Sequence, residues 1–72
     1  MFILTSSDRL INSDRLKEIY HIENVIFAHT EDKDEAVLLN CCENEQECEH
    51  AFNELVKALA ERKELYRFDT KG

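Results

Sequence analysis

Seventy-two residues, 43% hydrophobic and 35% charged, fit one small folded domain and exclude both a two-domain protein and a disordered chain. The net charge of −7 is uneven: residues 31–54 carry −8, against −1 before them and +2 after. That acidic middle disfavours direct binding to nucleic acid or anionic lipid. No stretch is long enough to cross a bilayer, and Met1–Thr5 has none of the features of a signal peptide. Three cysteines, an odd number, read as reduced thiols of a cytoplasmic protein.

The sequence has no proline, and its one glycine is Gly72. Chain reversals therefore fall to Asn, Asp and Ser, whose short side chains bond their own backbone. Phe2–Thr5 reads as a first strand, Ser6–Arg9 as a turn, Leu10-Ile11 as an apolar pair and Asn12–Asp14 as a second turn. The tetrapeptide Ser7-Asp8-Arg9-Leu10 returns as Ser13-Asp14-Arg15-Leu16. Six residues is too short a period for a solenoid repeat, so this reads as two similar turns in succession.

Leu16–Ile22 and Val25–Thr30 are rich in β-branched and aromatic residues and read as two strands. Glu23-Asn24 joins them as a tight hairpin, weakened by the missing glycine. This register sets Tyr20 against Phe27, Ile19 against Ala28 and Glu18 against His29. Tyr20, Ile22, Val25 and Phe27 then share one face, and Ile19, His21, Ile26 and Ala28 the other. A charged reversal over 31–35 leads to a further strand, Ala36–Cys42, again apolar on both faces.

The helix is the clearest element. Asn44 with Glu47 three residues on makes a capping box, and Glu45, Glu47 and Glu49 complement the positive end of the helix dipole. Cys48, Phe52, Leu55, Val56 and Leu59 form an apolar stripe, flanked by Ala51 and Ala58. The helix is expected to end near Lys63. Residues 64–69 read either as frayed helix or as an extended arm carrying Tyr66 and Phe68.

The expected fold is α+β: four short antiparallel strands (about 2–42) followed by one C-terminal amphipathic helix (about 45–63) and a tail (64–72), in one domain. A sheet covered by a single helix should have one polar face. Here both faces are apolar, and a chain of this size has little core of its own. Self-association into a homodimer or higher oligomer is the remedy this implies, with Tyr20, Phe27, Tyr66 and Phe68 as interface candidates. The other reading is that segment 6–16 or the tail covers the second face.

The order Phe2-Ile3-Leu4, then Leu10-Ile11-Asn12, Asp14, Leu16 and Ile19-Tyr20, then two more strands, then Glu45, Glu47 and Glu49 opening a helix, resembles a group of small proteins. These are uncharacterised proteins of Gram-positive bacteria, their phages and mobile elements. The resemblance spans nearly the whole chain. It implies a four-stranded sheet with a C-terminal helix and, more loosely, phage or mobile-element biology. It brings no functional residues with it. Cys41-Cys42 and the absence of internal glycine depart from its pattern.

No catalytic, cofactor or metal site is read from the residues. Cys41, Cys42, Cys48 and His50 lie within ten positions. However, adjacent strand residues point to opposite faces, Cys48 and His50 diverge on a helix, and no C-x-x-C pair is present. Cys48 and one strand cysteine read instead as core residues. The surrounding glutamates would raise a thiol pKa, against a cysteine nucleophile. Glu18 and His29 read as a cross-strand surface pair. The function expected is that of a small non-enzymatic cytoplasmic interaction or regulatory protein of phage or mobile-element type. Two alternatives stand beside it. One is an acidic inhibitor presenting Glu45, Glu47 and Glu49 to a host protein in place of nucleic acid; the other is an oligomeric protein that sequesters a small ligand.

Overall fold

The computed structural model describes residues 1–31 and 36–68; most of the charged reversal and the end of the tail lie outside them. The strands are β1 (Phe2–Leu4), β2 (Leu10–Asn12), β3 (Leu16–Ile22), β4 (Val25–Thr30), β5 (Ala36–Cys41) and β6 (Leu65–Arg67), with helix α1 (Glu45–Ala60) between the last two. They make two three-stranded sheets, ordered β2-β1-β6 and β3-β4-β5. The α+β class stands. The expectation of four strands is corrected to six among the described residues, because Leu10–Asn12 and Leu65–Arg67 each form a three-residue strand on β1. β2 runs antiparallel and β6 parallel to it.

The hairpin register is as the alternation of side chains requires: Glu18 faces His29, Ile19 faces Ala28 and Tyr20 faces Phe27. Glu23 makes the reversal at a positive φ of 53°, a conformation that costs a residue with a Cβ about 1–2 kcal/mol. The turn is anchored from outside the hairpin. Cys42 N–H donates to Asn24 O at 2.7 Å, and Asn24 Nδ2 donates to Cys42 O at 2.8 Å.

β5 is bulged. Phe27 pairs with Leu38 and Ile26 with Asn40, which leaves Leu39 as the extra residue. The bulge breaks the two-residue alternation, so Leu39 and Asn40 both turn inward while Leu38 stays outside. Ser6 N–H donates to the Leu39 carbonyl at 3.0 Å and ties the two sheets together at this point.

The repeated Ser-Asp-Arg-Leu tetrapeptides do lie at two turns. In the first, Thr5 Oγ1 accepts the Arg9 N–H and Asp8 takes φ 61°. In the second, Asn12 Oδ1 accepts the Asp14 N–H and caps a single 3₁₀ turn over Ser13–Arg15. Each delivers its leucine to the start of a strand, β2 or β3.

α1 begins as its sequence dictates, with Glu47 N–H donating to Asn44 Oδ1 at 2.8 Å. It ends at Ala60, three residues short of the expected Lys63. Arg62 takes φ 55°, its N–H bonds Leu59 O, and Lys63 N–H bonds Ala58 O. This is a Schellman closure with arginine where glycine is usual. The buried stripe is Cys48, Leu55 and Ala58, flanked by Ala51, Phe52 and Leu59. Val56, expected within it, is 47% exposed because it falls one helical step past the stripe's edge.

One core joins all three layers. Ile3 from the first sheet, Phe68 just past β6, Ile26, Ala28 and Leu39 from the second sheet, and Cys48 and Leu55 from α1 pack together. Each fully buried aliphatic side chain contributes about 1.5–3 kcal/mol. The core therefore lies on the Ile26/Ala28 face of the β3-β4-β5 sheet.

Candidate functional site

The opposite face of that sheet carries the most distinctive surface of the molecule. Tyr20 lies at its centre. Its ring stacks on Phe27 with centroids 5.7 Å apart, and its hydroxyl lies 3.1 Å from His29 Nε2. The His29 ring meets the Tyr20 ring edge-on at 5.4 Å. Around this cluster stand Val25, Ile22 (57% exposed) and Leu38 (40% exposed). The pairing explains the assembly: Tyr20–Phe27 and Ile22–Val25 are cross-strand pairs of β3 and β4, and Leu38 faces Phe27 from β5. Neither the helix nor the first sheet covers this face, since both pack on the other side. Among the described residues in register here, the one carboxylate is Glu18, opposite His29.

The first sheet also has an outward apolar face, built from Phe2, Leu4, Leu10 and Leu65. Its strands are only three residues long, and Arg67 stands beside Leu4. By strand rise and spacing it covers about half the area of the β3-β4-β5 face.

The other two interface candidates behave differently. Phe68 is 5% exposed and belongs to the core; Tyr66 is half-buried, with its ring edge-on to Phe68 at 5.0 Å. The extended arm is real as β6, but it turns its aromatics inward because Tyr66 pairs with Ile3 on the core side of β1. Of the four aromatics, Tyr20 and Phe27 are the pair brought together on an open face.

A cleft of about 840 Å³ opens between the end of β5, the start of α1 and β6, lined by Asn40, Cys42, Glu47, His50, Tyr66 and other residues. Asn40 is buried and donates from Nδ2 to Cys42 Sγ at 3.3 Å. Cys48 is fully buried and hydrogen-bonded to the Cys42 thiol. Burial first, then that bond and the nearby negative groups, push the Cys48 thiol up to about 11. Burial likewise raises Cys42, with Cys48 acting in the opposite sense. Cys41, also on the cleft's lining, is exposed. Two thiols held protonated are poor nucleophiles at neutral pH. Among the described residues, no three His, Cys, Asp or Glu side chains converge on one point as metal ligands would.

Of the acidic candidates, Glu45 and Glu49 are exposed and Glu47 is half-buried at the helix cap. On the core side of β3, His21 tilts against Phe52 with ring centroids 5.1 Å apart. Its Nδ1 is buried with no hydrogen-bond partner among the described residues. Sequence reasoning missed this atom, since nothing in an alternating strand marks which histidine nitrogen will be enclosed. It also missed the bulge at Leu39, which places Leu38 beside the aromatic cluster. No helix among the described residues is long and apolar enough to cross a membrane.

No family model, curated protein or solved structure matches the chain.

Proposed function

We propose that this chain is a small non-enzymatic interaction or regulatory protein of phage or mobile-element type, working in the cytoplasm through the outer face of the β3-β4-β5 sheet. One observation carries the reading: Ile22 and Leu38 are exposed beside half-buried Tyr20, Val25 and Phe27 on a sheet face that neither α1 nor the first sheet covers, in a chain that is 35% charged. Aromatic enrichment with depletion of charge marks the cores of protein interfaces. Three cysteines carried as free thiols suit a reducing compartment. The phage or mobile-element part rests on the sequence resemblance alone.

The test is a paired substitution, Ile22→Lys with Leu38→Lys. Both side chains are substantially exposed, so the fold should tolerate the change. The variant should fold and lose its protein contacts, including any recovered from a bacterial host. A folded variant that keeps every contact of the parent would remove the reading.

The cleft supports a second reading, that of an acidic inhibitor. Glu43, Glu47 and Glu54 line it, with no Lys or Arg among its described lining residues. A basic partner would be drawn there, and its affinity would fall steeply with salt. Reversing the cleft's own carboxylates, Glu43, Glu47 and Glu54, to lysine should then abolish binding, and unchanged binding would count against it.

A further inference from the structure

We infer that the occupant of the outer β3-β4-β5 face is a second copy of this chain, packed sheet to sheet about a two-fold axis. The inference rests on the reading above, that this face is a protein-binding surface, and names its partner.

Charge is the first argument. The chain carries −7 overall, yet among the described residues in register on this face the one carboxylate is Glu18, with exposed Lys17 at the bulge beside it. A basic or acidic foreign partner would gain little here, because the face has no field to complement. An identical face brings the same apolar and aromatic groups and almost no charge, so it is complementary to itself. Isologous two-fold contacts are the commonest way for a small protein to use such a surface.

Area is the second argument, and it sets the strength. β3, β4 and β5 have seven, six and six residues. Three strands of that length cover roughly 14 × 20 Å in plan. That is well short of the ~800 Å² of accessible surface per partner in a stable complex. A sheet-on-sheet contact of this size, with the two sheets about 10 Å apart, gives a reversible dimer that forms with rising concentration.

The two arguments combine into a signature specific to this occupant. Two protomers of −7 repel each other outside the neutral patch, so added salt screens the repulsion and strengthens the dimer. A basic partner in the acidic cleft would show the reverse.

The experiment is sedimentation equilibrium of the full chain, from low micromolar to millimolar, at low and high salt. The expected result is a mass that rises to twice that of one chain, with a midpoint at severalfold lower concentration in high salt. Ile22→Lys with Leu38→Lys should hold the mass at one chain throughout, while Leu10→Lys, on the other sheet, should dimerise like the parent. A monomer at every concentration and salt overturns the inference, as does a dimer that Leu10→Lys breaks and the paired variant spares. Either failure leaves the broader reading to its own test, since loss of host-protein contacts by the paired variant does not depend on self-association.

Discussion

Tyr20 and His29 lie diagonally across β3 and β4, hydroxyl to Nε2 at 3.1 Å, on the outer face of their sheet. A tyrosine on an open strand surface is free to rotate; this one is held by a hydrogen bond at its tip and by Phe27 stacked on its ring. The cluster is therefore a fixed aromatic platform, which loses little side-chain entropy on contact with a partner.

Removing the hydroxyl tests that platform. Tyr20→Phe should keep the fold and the stacking on Phe27 and cost about 0.5–1.5 kcal/mol, the usual net value of one hydrogen bond. Urea unfolding of dilute protein measures it. No change in midpoint would mean that the hydroxyl is satisfied equally well by water.

The end of α1 offers a stabilising change. Arg62 holds φ 55° in a Schellman closure, where a Cβ is penalised. Arg62→Gly should add about 1 kcal/mol, which for a domain of this size raises Tm by roughly 4–8 °C. Arg62→Ala keeps the Cβ and should give no such gain. Equal gains from both would show that the side chain, and not the backbone angle, is responsible.

The same residue explains why the helix was read too long. Glu61, Arg62 and Lys63 carry no glycine or proline to announce a stop, and Lys and Arg are welcome in a last turn. The start was legible because Asn44 and Glu47 state their own hydrogen bonds. The β3-β4 register was legible because strict alternation permits one pairing across Glu23-Asn24. β2 and β6 were not, since three residues show no period and the β1-β6 pairing joins the two ends of the chain. The outer face was legible as apolar through Tyr20 and Phe27. Leu38 entered it through a bulge that no local pattern signals, and Phe68 left it because β6 returns to the core.

Stability should fall in alkali through the buried thiol. Cys48 keeps its proton to about pH 11 in the folded chain, against an ordinary value of 9.0. Below pH 9 both states hold the proton, and the thiol adds no pH dependence. From pH 9 to 11 the unfolded chain releases it while the folded chain retains it, so folding stability declines as pH rises. Cys42 is shifted in the same direction. Thermal melts should drop more steeply over this window in the parent than in Cys48→Ala; parallel slopes would contradict the assignment. At neutral pH, a thiol-alkylating reagent should modify exposed Cys41 first and buried Cys48 last.

His21 predicts a gain from losing a polar group. Its Nδ1 is buried without a partner, and leaving such a group unsatisfied costs about 1–3 kcal/mol. His21→Leu keeps an apolar contact for Phe52 and should be neutral or stabilising, read from the denaturant midpoint. A loss above about 2 kcal/mol, the scale of a truncated core residue, would show that the histidine has a partner in solution.

The contact surface itself is mapped most directly by backbone amide chemical shifts followed on dilution of the isotopically labelled chain. Concentration-dependent shifts should gather on Tyr20, Ile22, Phe27 and Leu38 and leave β1, β2 and β6 unmoved. Shifts confined to Leu10 and Leu65, or spectra identical from micromolar to millimolar, would contradict the assignment of the open face as the place where two chains meet.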